Sequence, residues 1–136
     1  MSVPRYLLDT NICIYIHRQR PMAVEARLQR LRPGDAVISV ITYGELLFGA
    51  EKSMARSKTL QILDEFISVV PVLPLSADVS RHYGLIRATL ERRGEGIGNN
   101  DTWLAAHAAA ANLTLVTNNK REFTRVAGLR VENWVD

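Results

Sequence analysis

The chain has 136 residues, of which 47% are hydrophobic, so it is long and apolar enough for one domain with a substantial core. A formal net charge of +3 is compatible with a nucleic-acid partner but is weak evidence for one, because 14 acidic residues give the surface a mixed charge. The single cysteine excludes an internal disulfide, no Cys/His spacing is typical of a zinc site, and no apolar run reaches the ~18 residues of a membrane span.

The first half of the chain alternates strands with helices. RYLLD is predicted to be a short buried strand that ends at Asp9, and TNICIYIHR is predicted to be a helix. Pro21 is expected to open a second helix over MAVEARLQRL. AVISV follows as a strand, and ITYGELLFGAEK and RSKTLQILDEFISV follow as helices. Cys13 lies in an apolar run, which indicates a buried and inert thiol.

The second half continues the alternation. VPVLPL is a short strand whose prolines place it near a sheet edge, and SADVSRHYGLIRATLERRG is a helix. The chain ends with a helix over NDTWLAAHAAAAN, a strand over LTLVT, a helical turn over KREFTRV and a last strand over LRVENW. No repeat or linker divides it, so we predict a single domain over residues 1–136 with an α/β fold and a mostly parallel sheet.

Polar residues follow three of these strands. Asp9, Thr10 and Asn11 follow the first, a path through Ser39 and Thr42 leads from the second to Glu45, and Thr117, Asn118 and Asn119 end the fourth, whose preceding helix opens with Asn100 and Asp101. Ligands of parallel sheets bind at the carboxyl ends of the strands. We therefore expect these groups to converge at one end of the sheet.

Each acid also has a simpler explanation. Asp9 and Asp101 are placed where a carboxylate caps or favours the start of a helix. Glu45 is harder to explain in that way, because its neighbours along the helix are mainly apolar and a glutamate among them needs a partner or a cation.

Three converging carboxylates repel one another unless a positive charge lies among them. Oxygen ligands suit Mg²⁺ or Mn²⁺ rather than zinc, and such an ion can activate a water and neutralise a phosphodiester. With the mildly basic composition, this leads to the hypothesis of a metal-dependent nuclease.

Four stretches together resemble one protein family. YLLDTNICIYI, ISVITYGELLFGAEKS, IGNNDTWLAAHA and LVTNNKREFTRVAGLRVENW are similar to PIN-domain ribonucleases, and specifically to the VapC toxins of bacterial toxin–antitoxin pairs, in the order and spacing of that family. The resemblance covers essentially the whole chain. It implies a three-layer α/β/α fold with about five central strands, and Mg²⁺- or Mn²⁺-dependent cleavage of RNA.

The resemblance also assigns roles. Asp9, Glu45 and Asp101 match the acids that hold the metal in catalysis, and Thr10, Asn11 and Thr117 match neighbours that orient ligands and water. Asn119 stands where many PIN domains carry a fourth acid, which predicts one firmly held ion. Glu122 replaces part of the missing charge if its segment is helical; otherwise it is a surface acid.

Several other residues have two possible readings. RNA-binding candidates are the basic residues Lys52, Arg56, Lys58, Arg92, Arg93, Lys120, Arg121 and Arg125. Lys120 and Arg121 are favoured among them because they adjoin the predicted site. We expect His107 to pack its helix rather than act in catalysis, and Trp103 to belong to a core or interface rather than to stack on a base.

The resemblance implies protein partners as well. A VapB-type antitoxin would wrap the toxin, insert an arginine among the acids and occupy a groove built from NICIYIH and ELLFGAEKSMARSKTL. We also expect a homodimer, a toxin–antitoxin hetero-oligomer and, since the N-terminus lacks the form of a signal peptide, a cytoplasmic location without membrane contact.

Two alternatives remain at this point. A phosphatase of the haloacid-dehalogenase type would need an acid two residues after Asp9, where this chain has Asn11. A PIN-like domain that binds RNA without cutting it would explain Asn119 but would leave the three acids without a purpose. The TNN–EF ending resembles that of toxins that cut transfer RNA, including the initiator, in the anticodon loop, and that target is our expectation here.

Overall fold

Along the described part of the chain, each strand is separated from the next by one or two helices, as the sequence predicts. The structure is a computed structural model, and it describes residues 3–19 and 22–135. The strands of that part are β1 (Tyr6–Leu8), β2 (Ala36–Ser39), β3 (Val72–Leu73), β4 (Thr114–Val116) and β5 (Val131–Glu132). The helices are α1 (Thr10–Gln19), α2 (Met22–Gln29), α3 (Val40–Lys52), α4 (Arg56–Val69), α5 (Ala77–Arg92), α6 (Asn99–Ala110) and α7 (Lys120–Phe123).

All five strands pair in parallel, in the order β3-β2-β1-β4-β5. The chain therefore builds the sheet outward from β1 in one direction through β2 and β3, and then in the other through β4 and β5. The direction reverses between β1 and β4, whose central residues Leu7 and Leu115 are paired. Such a reversal opens a crevice at the carboxyl ends of the strands, where ligands of parallel sheets bind.

Alternate strand residues point to opposite faces and form two cores. Leu8, Ile38 and Val116 face a core that includes Ile12 of α1, Val24 of α2 and partly buried side chains of α4. On the opposite face, residues of the sheet pack against α5, α6 and α7 through buried side chains that include Leu7, Leu115, Leu90, Ala105 and Phe123. Helices thus cover both faces, which confirms the predicted three-layer α/β/α arrangement.

Several local expectations are also tested. The proline-bounded β3 is an edge strand, as predicted, and is only two residues long. Cys13 is fully buried, as predicted, and burial raises the pKa of its thiol well above the ordinary value, which disfavours the reactive thiolate. Pro21 lies outside the described residues. Among those residues, no helix is long and apolar enough to cross a membrane.

Candidate active site

Asp9 lies directly after the central strand β1 and is almost completely buried, with 2% of its surface exposed. Its Oδ1 accepts a 2.7 Å hydrogen bond from the backbone N–H of Ile12, so the predicted helix cap is real. Burial raises the pKa of Asp9 to about 6. Hydrogen bonds from Thr117 and Ile12 oppose this shift, whereas the negative charges of Asp101 and Glu45 add to it. The carboxylate is therefore both a cap and a member of an acidic group.

Glu45 lies on α3, where Ser39 caps the helix by accepting from the backbone N–H of Ile41 at 3.1 Å. The sequence indicated that Glu45 needs a partner, and the structure supplies Thr10, whose hydroxyl donates to Glu45 Oε1 at 3.0 Å. The same hydroxyl lies 3.1 Å from that of the fully buried Thr42. Thr10 belongs to α1, so the contact holds α1 and α3 together beside Asp9.

Asp101 lies in the first turn of α6 and is half-buried. The residue at the cap position is Gly98, so of the two simpler roles expected for Asp101 the structure has the second: it lies in the first turn, where the helix dipole favours a negative charge. Burial raises the pKa of Asp101, and the charges of Glu122 and then Glu45 raise it further. The charge of Asp101 therefore interacts with those of Glu122 and Glu45, as well as with that of Asp9.

Glu122 belongs to this acidic group because its charge acts on Asp101. Glu122 lies on the short helix α7, so its segment is helical, which was the condition for this role in the sequence analysis. Thr117 is fully buried, hydrogen-bonds Asp9 and accepts at 2.8 Å from the backbone N–H of Asn119, whose side chain is half-buried. Asn11 has an exposed side chain on α1. The structure thus joins Thr10, Thr117 and Glu122 to the acids and leaves Asn11 facing solvent.

Five of the eight basic RNA-binding candidates fall into two groups. Lys120 and Arg121 are exposed on α7, next to Glu122. Three other RNA-binding candidates are engaged instead: Arg56 pairs with Glu51, Arg93 pairs with Glu95, and Arg125 donates to the backbone carbonyls of Glu95 and Gly96. Lys120 and Arg121 thus lie beside an acid of the group, while those three have structural partners.

Trp103 and His107 are both placed by α6. Trp103 is half-buried and stacks on Tyr83 of α5 at 3.9 Å between ring centroids. His107 is fully buried, and its Nδ1 lies 2.9 Å from the Ser39 hydroxyl. This last contact joins residues far apart in the chain, so it could not be predicted from the sequence, where a lone histidine in an alanine-rich helix was the available signal.

The chemistry of the acidic group fits a hard divalent cation. Within residues 3–19 and 22–135, none of the ion pairs involves Asp9, Glu45, Asp101 or Glu122, so the group lacks an internal counter-charge. Over the same residues, no three acidic, histidine or cysteine side chains are close enough to form a ready-made metal cage. The acids instead act on one another through their charges, and a cation would have to draw them together.

Comparison with known proteins decides the family. The PIN domain profile matches residues 6–129. The chain belongs to the PIN-domain family. Ribonuclease VapC2 of Haemophilus influenzae is 42% identical over 131 residues, which cover 96% of this chain and 98% of that protein. The tRNA(fMet)-specific endonuclease VapC of Shigella flexneri is 43% identical over 130 residues, with the same coverage.

The solved structures agree with this assignment. A chain in the crystal structure of DNA-bound VapBC from Salmonella typhimurium superimposes with a TM-score of 0.92 at 40% identity, covering 96% of this chain and 98% of that one. The predicted resemblance to the VapC branch of the PIN-domain family and the predicted fold are thus confirmed. The family assignment also removes the phosphatase alternative.

Proposed function

We propose that this PIN-domain protein is a metal-dependent endoribonuclease and the toxin of a toxin–antitoxin pair. The observation that carries the proposal is electrostatic: the charges of Asp101 and Glu45 raise the pKa of Asp9, which follows the central strand where the sheet reverses direction, and the charge of Glu45 also raises the pKa of Asp101. The relatives named ribonuclease VapC and endonuclease VapC share at least 41% identity over nearly the full chain.

Asp9, Glu45 and Asp101 would hold Mg²⁺ or Mn²⁺, because all three offer carboxylate oxygens and lack a basic partner. A bound ion of this kind supplies a polarised water and charge stabilisation for phosphodiester hydrolysis. Thr10 orients Glu45, and Thr117 orients Asp9. Asn119 contributes no charge, and Glu122 reaches the group only through Asp101. We therefore propose one firmly held ion.

The protein also controls protons at this site. With a pKa of about 6, the metal-free Asp9 carboxyl holds a proton over part of the mildly acidic range. A carboxyl must lose that proton before its oxygens bind a cation, so cation binding releases it and is weaker in acid. Because burial keeps water away from the Asp9 carboxylate, a bound cation would stabilise its negative charge instead.

For the substrate, we propose RNA, and in particular the anticodon loop of transfer RNA including the initiator. The Shigella flexneri relative is named a tRNA(fMet)-specific endonuclease, which supports this target. Lys120 and Arg121 are exposed beside Glu122 and would contact the phosphate backbone on the site's edge. The proposed place of action is the cytoplasm, where such RNA is found.

A VapB-type antitoxin is the proposed partner. Solved structures similar to this chain are named VapBC. In this chain, a groove of about 570 Å³ lies between α1, α3 and α4. Ile14, Leu46 and Ile62 are among the residues that line it, and Glu45 lies in its wall. An apolar antitoxin segment would fill the groove and bring a basic side chain to Glu45. A homodimer and a hetero-oligomer with the antitoxin belong to the same proposal.

The direct test is cleavage of total cellular RNA by the antitoxin-free protein, with Mg²⁺, with Mn²⁺ and with a chelator. We expect discrete fragments that require the metal and disappear in Asp101→Asn. Asp78→Asn is a matched control, since Asp78 also lies in the first turn of a helix but on the exposed surface of α5. Its activity should equal that of the unmodified chain.

Mapping the ends of the fragments would identify the substrate. Ends within the anticodon loop of transfer RNA would support the proposed target. Cleavage by Asp101→Asn at the normal rate would refute the site. If neither the unmodified chain nor Asp101→Asn cuts RNA but both bind it, the domain recognises RNA without cleaving it.

A further inference from the structure

His107 and Ser39 form a buried polar contact between two helices that carry site carboxylates. His107 lies on α6, six residues after Asp101, and Ser39 precedes α3, six residues before Glu45. Their exposed fractions are 1% and 0%, and His107 Nδ1 is 2.9 Å from Ser39 Oγ. Burying two polar groups costs free energy unless both are fully hydrogen-bonded, so their surroundings must supply the remaining partners.

The other bonds of this pair fix its proton positions. His107 also makes a hydrogen bond with the backbone of Pro74, in the segment between β3 and α5. Because proline has no backbone N–H, the acceptor is its carbonyl and the donor is the second ring nitrogen of His107. Nδ1 of the neutral ring is then an acceptor for the Ser39 hydroxyl. Ser39 Oγ in turn accepts from the backbone N–H of Ile41, so every group in the series has a partner.

This series connects elements that otherwise meet sparsely. α6 packs mainly against α5, and its contacts with α3 are few. Satisfied buried networks allow one arrangement of their members and resist others, because a shift strands a polar group without water. The His107–Ser39 bond therefore restricts how α3 can slide or rotate relative to α6. Those movements would change the separation of Glu45 and Asp101, which already interact through their charges.

We propose that His107 is a positioning residue that acts through Ser39 to hold α3 against α6 and thereby sets the spacing of Glu45 and Asp101 for the metal. The inference rests on the proposed metal-dependent function. His107 does not touch the reacting atoms. An apolar side chain of similar size would fill the same space but would take this partner away from the buried Ser39 hydroxyl.

Two substitutions separate the two bonds of the ring. The amide of asparagine occupies roughly the position of Nδ1, so His107→Asn keeps a partner for Ser39 and loses the bond to Pro74. The amide of glutamine reaches roughly the position of Nε2, so His107→Gln keeps the bond to Pro74 and loses the bond to Ser39. Val24→Ala is a control for general destabilisation, because Val24 is fully buried on α2, away from this network.

The experiment measures Mn²⁺ affinity by electron paramagnetic resonance, together with the Tm, on the antitoxin-free chain. We expect His107→Gln to weaken Mn²⁺ binding about tenfold, the lower end for residues that orient metal ligands, and His107→Asn to weaken it less. In a Ser39→Ala background, His107→Gln should have no further effect on affinity. Val24→Ala should lower the Tm and leave the affinity unchanged.

The alternatives give distinct results. If His107→Gln binds Mn²⁺ as tightly as the unmodified chain, or if its effect is undiminished in Ser39→Ala, the positioning role is refuted. Should His107→Gln fail to fold, an affinity of His107→Asn below that of Ser39→Ala would refute it equally. If the unmodified chain binds no Mn²⁺, or Asp101→Asn binds it equally well, the metal site of the proposed function fails, and the inference fails with it.

Discussion

At the scale of single residues, Asp9 shows how the site gives up stability for function. The carboxyl is buried after the central strand, and its pKa of about 6 compares with 3.8 for an unburied aspartate. Because the folded chain holds this proton more tightly than the unfolded chain does, raising the pH from about 4 to about 6 removes stability. A shift of this size corresponds to about 3 kcal/mol, and the loss is complete above the higher pKa.

We therefore predict that Asp9→Asn stabilises the metal-free protein above pH 6. The amide avoids the buried charge and still offers an oxygen to the backbone N–H of Ile12. Urea unfolding at several pH values, with a chelator present, should show a gain of up to about 3 kcal/mol at neutral pH and a smaller one at pH 4. Added Mg²⁺ should stabilise the unmodified chain and not the variant. A variant that is less stable at neutral pH would contradict this account of the Asp9 pKa.

Glu122 provides a second prediction at the same scale. After burial, the charge of Glu122 contributes most to the raised pKa of Asp101, so Glu122→Gln should lower that pKa towards its ordinary value. The same change should weaken Mn²⁺ binding about threefold, as expected for a partly exposed charge. Glu65→Gln, on the exposed surface of α4, is the control. Equal Mn²⁺ affinities for the two variants would return Glu122 to the status of a surface acid.

At the scale of elements, the site depends on the junction of α1 with α3. Thr10, in the first turn of α1, hydrogen-bonds Glu45 on α3. Thr10→Val keeps the shape and removes the hydroxyl, so Glu45 loses its orienting partner. Cleavage of RNA at limiting Mg²⁺ should fall about tenfold, and Thr10→Ser should restore most of it. Full activity of Thr10→Val would show that Glu45 is held by other contacts.

The sequence predicted the elements and the main acids because both depend on local patterns. Short apolar strands that end in polar residues indicate a parallel sheet, and that sheet brings Asp9, Glu45 and Asp101 to one end. Contacts between residues distant in the chain were not predictable in this way. The partner of Thr10 lies on another helix, and the partner of His107 lies 68 residues away. The role of Glu122 depends on the direction of a four-residue helix, which no periodicity can indicate.

At the scale of the whole molecule, an antitoxin bound as proposed in the groove between α1, α3 and α4 would contact the site, because Glu45 lies in the groove wall. Ile62→Asp should weaken binding of the cognate antitoxin at least about tenfold, since a charge would replace an apolar contact. RNA cleavage without antitoxin should be unchanged. Leu85→Asp is the matched control, because Leu85 is an exposed apolar residue on α5 outside the groove. Calorimetric titration of each variant with antitoxin would measure the difference. Equal affinities would place the antitoxin elsewhere.

Asp9, Glu45 and Asp101 are proposed to hold one divalent ion for RNA cleavage. Anomalous diffraction of Mn²⁺ in crystals of the antitoxin-free protein would locate that ion. We expect one strong peak bound by oxygens of these three carboxylates. A strongest peak that Asp101 does not contact, or no peak at this end of the sheet, would refute the proposed site.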